Sequence, residues 1–252
     1  MWNGKTVSVV LTSYREKDSI REVIEGFFAT GVVDEVVVVD NNAEPGSVEE
    51  VRKTRARLVF EKKQGHGYAL QAGMRESSGD YIILCEADGT FQPRDVRIFL
   101  VYAEAVPVVF GTRTNKSMIG AGTGMFFLRR IADVIEAKFI EYFFWTSNLT
   151  DIGCTYKLLR REVVEFLEPK WIKGDSHFVT EITLQIAAAK IPFVEIPVTF
   201  RKRVGKSLVT GNFVKIATWG IKLFLFIWLF WFRWLLSRKM RSVRFAAGVP
   251  RR

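Results

Sequence analysis

The sequence predicts an α/β fold: a mostly parallel central sheet with helices on both faces, extended at its end by a helical tail. Three observations carry that prediction. Short unbroken Val/Ile runs such as "VSVVL" and "EVVVVD" recur, too uniformly apolar for strands with one wet face. Amphipathic stretches of helical period separate them, the alternation that builds a sheet covered on both sides. Two of the runs drop directly into acids, most abruptly in "YIILCEADGTFQP" at 81–93.

The elements follow in order. "TVSVVL" (6–11) reads as a buried strand and "KDSIREVIEGFFATG" (17–31) as an amphipathic helix stopped by glycine. "EVVVVD" (35–40) is a second buried strand and "RLVFE" (57–61) a third. A helix follows through "GYALQAGMRESSG" (67–79), then the strands "YIILC" (81–85) and "VPVVFG" (106–111). No internal repeat or low-complexity linker interrupts the pattern. The aromatic-rich segment 213–236 reads as one further helix, about 36 Å long at 1.5 Å per residue.

At 252 residues and 48% hydrophobic the chain can bury one good core. A globular domain over 1–210 with a basic, aromatic-rich tail over 211–252 fits better than two domains. The formal charge of +10 suggests nucleic acid until it is mapped. Glu195 is the last acid; 13 Lys and Arg follow it, leaving residues 1–195 at −3. A nucleic-acid footprint should cover a folded face, so that class of partner is excluded. Cys85 and Cys154 are the only cysteines, in no ligand-like spacing, which argues against a metal–thiolate site and suits a reducing compartment. The first apolar run is too short for the core of a signal peptide, so the folded part is expected to face the cytoplasm.

In open α/β sheets ligands gather beyond the carboxyl ends of the strands. Asp40 closes the second strand, and Glu86 and Asp88 close the fourth, so three acids fall on one rim. Carboxylates at i and i+2 in a turn opened by Gly89 can hold a hard divalent cation and leave positions for water and phosphate oxygens. The plainer alternative is a pair of solvated loop acids.

The stretches "VSVVLTSYREKDSI", "VVVVDNN", "KKQGHGYALQAGMRESSGDYIILCEADGTFQP", "FGTR", "DIGCTYKLLRREVV" and "EIPVTFRKRVGKS" decide between these readings. In order and spacing the chain resembles family 2 glycosyltransferases of the GT-A fold over about residues 5–208, and within them dolichyl-phosphate mannose synthases and other polyprenyl-phosphate glycosyltransferases. The resemblance implies donor-nucleotide contacts at Thr12, Tyr14, Glu16, Asp40, Asn41, Gly67, Glu86, Ala87 and Asp88. Asn41 stands where the family has the second acid of an Asp-Asp pair. Gly65, His66, Gly67 and Ala69 match its G-x-G-x-A turn, for which plain turn chemistry is an equal explanation. Glu86 and Asp88 fall on its metal-binding D-x-D, with Asp88 as the main ligand of a Mg²⁺ or Mn²⁺ and Glu86 reaching the metal, its water or the sugar.

The implied reaction is inverting transfer of a sugar, mannose from GDP-mannose in the nearest families, to a lipid phosphate such as dolichyl phosphate. Acceptor phosphate would be held by basic residues among Arg113, Arg129, Arg130, Arg201, Arg203, Lys206 and Ser207's neighbourhood, with Ser207 itself in the matching element. An acceptor hydroxyl would need a base, for which Asp151 and Glu181 match family acids. A glycan-hydroxyl transferase and a catalytically silent nucleotide-sugar-binding or scaffold protein are the rivals. In the tail, Lys215, Lys222 and Arg233 fall on one stripe of a broad apolar helix, and the uninterrupted apolar stretch 223–232 is too short to span. The tail is therefore expected to lie on an anionic membrane surface rather than cross it, with docking on its own domain or a homodimer contact as the alternatives.

Overall fold

The computed structural model describes residues 1–123, 127–204 and 213–237. The first half alternates strictly: β1 (Val7–Ser13), α1 (Lys17–Ala29), β2 (Glu35–Asp40), α2 (Ser47–Arg52), β3 (Arg57–Phe60), α3 (His66–Glu76) and β4 (Tyr81–Glu86). The second half is less regular: α4 (Val96–Ala103), β5 (Val108–Thr112), α5 (Phe127–Phe144), β6 (Lys157–Arg160), α6 (Arg161–Leu167), α7 (Phe178–Ala188), β7 (Phe193–Pro197) and α8 (Phe213–Leu236).

Among the described residues seven strands form one sheet in the order β3-β2-β1-β4-β6-β5-β7. All pairings are parallel except those of β6, which runs antiparallel to both β4 and β5. Strand alternation sends Val10, Val37, Val39, Ile82 and Leu84 to one face, under α3, α5, α7 and α8. Val9, Leu11, Val36, Val38, Ile83 and Cys85 go to the other, under α1 and α4. Each fully buried aliphatic side chain contributes about 1.5–3 kcal/mol, so the double-sided Val/Ile strands are the main source of stability. Gly73 lets α3 sit close to this sheet, since a Cβ there would lie 2.2 Å from Val10 Cγ1.

The order places a reversal at β1, with β2 and β3 on one side and β4 on the other. Register aligns the strand ends there: Ser13 pairs with Asp40, and Thr12 pairs with Glu86. The three rim acids expected from sequence therefore share one edge of the sheet.

Helix α8 is not a free appendage. Leu223 and Ile227 are fully buried, and Phe226, Phe230, Trp231 and Trp234 pack half-buried on the core formed with α5 and α7. Trp231 stacks on Phe143 at 4.6 Å, and its indole N–H donates to the Phe143 carbonyl. The opposite face leaves Leu225, Trp228, Leu229 and Phe232 exposed, and Ile135, Tyr142 and Trp145 of the α5 region are exposed as well. Among the described residues no helix is long and apolar enough to cross a membrane.

Candidate active site

Asp88 lies just past β4 and is almost completely buried. One of its oxygens, Oδ1, accepts from the Thr90 amide at 3.0 Å and the Thr90 hydroxyl at 2.6 Å, which fixes the carboxylate in the turn opened by Gly89 at φ 75°. The other, Oδ2, faces Arg203 Nε at 3.0 Å. Burial first, and then the neighbouring Glu86 carboxylate, push Asp88 up to about 6. Glu86 is half-buried at the strand end, where its Oε1 accepts from the Thr155 hydroxyl at 2.8 Å. Ala87 between them is buried, and its carbonyl accepts from Ser19 Oγ at 2.7 Å, tying the turn to α1.

Glu16 approaches from the β1–α1 loop. Its Oε2 accepts from the Tyr14 and Arg15 amides at 2.6 and 2.7 Å, and its Oε1 accepts from Arg203 Nη2 at 3.1 Å. Thr12 lies next to Glu86 in the sheet register. Asp40 is half-buried, with Oδ1 accepting from the Ala43 amide at 2.7 Å. Thr12, Tyr14, Glu16, Asp40, Glu86, Ala87 and Asp88 thus surround one rim, as the sequence led us to expect.

Two expected donor contacts have other work. The Asn41 amide donates to the carbonyls of Glu61 and Lys63 at 2.8 Å each, and its Oδ1 accepts from the Gly65 amide at 2.8 Å. It is spent clamping the β3–α3 loop. A Cβ on Gly67 would meet Asp175 O, Gly174 C and Phe178 Cβ at 2.7 Å, so close helix–loop packing accounts for this glycine. Its neighbour His66, matched in sequence only to the G-x-G-x-A turn, lies close to the rim charges. Burial, the largest influence, holds its imidazole down to about 4, with Glu16, Arg203 and Asp88 the charges that act on it. Its position between two glycines at the start of α3 was the available signal.

The basic residues split into two groups. Arg203 is at the rim with Asp88 and Glu16 rather than with the other arginines. Arg113, after β5, is buried and bidentate to Asp151: Nε to Oδ2 and Nη2 to Oδ1, both 2.8 Å, with its amide also donating to Oδ2 at 2.9 Å. Desolvation would raise Asp151, but the Arg113 charge and hydrogen bonds overcome it and hold the carboxyl below its ordinary range. Arg201 is exposed, its amide donating to the Thr90 carbonyl at 2.8 Å. Arg130 is half-buried at the start of α5. The Arg129 side chain, Lys206 and Ser207 lie outside the described residues.

The two acids expected as bases are both enclosed by their surroundings. Asp151 is the immobile counter-ion of Arg113. Glu181 on α7 has no exposed surface; it accepts from the Ile172 and Lys173 amides at 2.8 and 2.7 Å and from Gln185 Nε2 at 2.6 Å. A carboxylate so enclosed fixes the 172–173 loop and cannot reach a substrate proton.

Asp151 belongs to a larger buried network that sequence reasoning missed. Glu195 of β7 accepts from the Thr150 and Asp151 amides at 3.0 Å each, and from the Thr150 hydroxyl at 2.7 Å. The hydroxyls of Thr112, Thr114 and Thr150 bond one another at 2.8–2.9 Å. Lys157 of β6 is fully buried beside them, its Nζ 4.3 Å from the Phe110 ring centre, and desolvation lowers it to about 8. Arg113 pairs directly with Asp151, whereas Lys157 feels Asp151 and Glu195 only at longer range, its Nζ without a hydrogen bond.

An α/β sheet whose strand ends gather carboxylates at a chain reversal has them where such folds bind ligands. The glycosyl transferase family 2 model matches residues 8–167, and the chain belongs to that family and is a glycosyltransferase. An undecaprenyl-phosphate mannosyltransferase of Micrococcus luteus is 25% identical over 234 residues, 85% of this chain and 94% of that one. A dolichyl-phosphate hexose transferase of Haloferax volcanii is 26% identical over 203 residues, 80% and 85% of the two chains. Among solved structures, glucosyl-3-phosphoglycerate synthase from Mycobacterium tuberculosis with Mn²⁺, UDP-glucose and phosphoglyceric acid superposes with TM-score 0.69 at 16% identity, covering 90% of this chain and 80% of that one. That likeness establishes the GT-A fold.

Proposed function

We propose that the enzyme moves a hexosyl group, mannose from GDP-mannose in the favoured case, from a nucleotide diphosphate to a polyprenyl phosphate such as dolichyl phosphate, inverting the anomeric centre. The observation that carries this reading is the contrast between the acids. Glu16, Glu86 and Asp88 converge on the rim, whereas the candidate bases Asp151 and Glu181 are buried and fully engaged. An acceptor phosphate is already anionic and needs no base; a sugar hydroxyl does. Two relatives whose names specify polyprenyl-phosphate acceptors support the same choice.

The rim suits a divalent cation. Its donors are carboxylate oxygens, those of Glu86 and Asp88 one residue apart at the end of β4. Among the described residues no cluster of three metal-ligating side chains occurs, so Asp88 with Glu86 would hold the ion in an open site shared with the diphosphate. Mg²⁺ or Mn²⁺, when bound, supplies electrostatic stabilisation of the leaving diphosphate. Glu16 and its loop line the nucleotide side, while Arg113, buried and neutralised by Asp151, holds the 113 and 151 loops together. Catalysis then rests on positioning and electrostatics without a protein nucleophile.

The exposed aromatic face of α8 and the exposed side chains of the α5 region, with the acid-free chain from 196 onward, support peripheral attachment to an anionic cytoplasmic membrane surface. A homodimer through the same face is the competing occupant, distinguished by vesicle co-sedimentation against the detergent-free oligomeric state.

The test is transfer from a panel of GDP- and UDP-hexoses to polyprenyl phosphate in detergent, with and without Mn²⁺. Asp88→Ala is expected to lose about 10²–10³-fold in rate or more, and Glu86→Ala to lose less. Full activity of Asp88→Ala in saturating Mn²⁺ would remove the metal assignment. Transfer to a glycolipid hydroxyl in preference to polyprenyl phosphate would remove the acceptor assignment.

A further inference from the structure

Arg203 was expected among acceptor-phosphate residues, yet its guanidinium bridges two donor-side acids. Nε lies 3.0 Å from Asp88 Oδ2, and Nη2 lies 3.1 Å from Glu16 Oε1. Thr90 already occupies Asp88 Oδ1, so Arg203 sits on the one carboxylate oxygen left for a ligand. The backbone beneath it is tied down independently: the Arg201 amide donates to Thr90 O at 2.8 Å and the Val204 amide to Asp88 O at 3.0 Å. Upstream, the Thr199 amide donates to Asp95 Oδ2 at 2.7 Å, and Phe200 bridges to Phe91 and Ile119. The segment is a fixed strap across the 88–91 turn. About a third of the Arg203 side chain is exposed, so the guanidinium can leave toward solvent while those backbone bonds stay in place.

We propose that Arg203 is the resident cation of the Asp88 site: it neutralises Asp88 and Glu16 before donor arrives, and a divalent ion must displace it to bind. This inference rests on the metal assignment above and adds to it a competition and a consequence. Two cations cannot share Asp88 Oδ2 without repulsion, so the metal alone binds against Arg203. A nucleoside diphosphate arriving with the metal brings compensating negative charge, and the displaced guanidinium then pairs with phosphate oxygen, a geometry for which arginine is suited. Arg203 thereby couples metal binding to diphosphate binding: weak separately, strong together. An empty rim held by its own arginine would also disfavour occupation by metal without donor.

The test measures Mn²⁺ binding to the full chain in detergent by electron paramagnetic resonance of the free ion, without donor and then with GDP or UDP. Removing an opposite charge in contact with a carboxylate changes that group's cation affinity about tenfold or more. Arg203→Ala and Arg203→Gln are therefore expected to bind Mn²⁺ about tenfold more tightly than the unaltered chain when nucleotide is absent. In both, the further tightening brought by GDP or UDP is expected to shrink. Arg203→Lys, which keeps the charge, should return the affinity toward that of the unaltered chain. A residue that merely held the strap would weaken Mn²⁺ binding when removed, through loss of the folded rim. Unchanged or weaker Mn²⁺ binding in Arg203→Ala, with binding still lost in Asp88→Asn, overturns the competition and leaves the metal site standing. Undiminished Mn²⁺ binding in Asp88→Asn overturns both.

Discussion

The two halves of the sheet treat charge in opposite ways. At the ends of β1, β2 and β4, carboxylates are gathered at a rim and answered by one partly exposed arginine, so the balance there remains open to incoming charge. Around β5, β6 and β7, Arg113 and Asp151 form a buried bidentate pair, half-buried Glu195 accepts from the Thr150 hydroxyl, and buried Lys157 lies beside them without a hydrogen bond. The first arrangement is a site in waiting, whereas the second is a scaffold that holds one guanidinium still. Equal numbers of acids and bases in sequence would not distinguish them; desolvation and partner geometry do.

That contrast predicts where substitution hurts folding. Asp151→Ala strands the buried Arg113 charge and is expected to cost about 3–5 kcal/mol in chemical denaturation, while Glu86→Ala, at a rim already crowded with negative charge, costs far less. Comparable losses would erase the distinction. A smaller effect separates the two faces of α8. Ile227→Ala opens a cavity against the core and should cost about 2–5 kcal/mol, whereas Trp228→Ser, on the exposed face, should stay within about 0.5 kcal/mol yet weaken binding to anionic vesicles. If Trp228→Ser leaves vesicle binding intact, that face serves something other than lipid.

A further expected effect is a pH dependence on α5. Burial first, then Asp133, raises Glu136 to about 8, and its Oε1 lies 3.8 Å from where a Cβ on Gly220 of α8 would stand. The unfolded chain releases this proton near 4.5 and the folded chain near 8. Between those values the folded state binds more protons, so this group's contribution makes stability fall as pH rises, and the loss is complete above about 8. Glu136→Gln should therefore raise the thermal midpoint by a few degrees at pH 8 and by almost nothing at pH 4. A gain independent of pH would mean that shape, not charge, sets the cost.

The same division explains what the sequence made legible. Strands β1 to β4 announce themselves as Val/Ile runs, and their parallel register brings Asp40, Glu86 and Asp88 to one rim with no knowledge of distant contacts. The four-residue β6 carries no such signal, and its reversal of direction depends on the neighbours it inserts between. Arg113 and Asp151 are separated by 38 residues, and only the folded chain reveals that each exists for the other. Asn41 shows a different limit: its amide is as good a partner for loop carbonyls as for a nucleotide, and the bonds to Glu61 and Lys63 are not legible in sequence.

Cys85 and Cys154 have no exposed surface, and burial pushes both thiols upward, Cys154 to about 12. They are poor nucleophiles behind closed walls. The folded enzyme is therefore ready-made for single-site chemical labelling without first deleting its native thiols. A cysteine introduced for Trp145, which is 84% exposed, or for Phe232 on the outer face of α8, would be the one thiol open to a maleimide dye or spin label. Each label would then report, from a known point on the surface, the polarity and viscosity of whatever medium this enzyme works against.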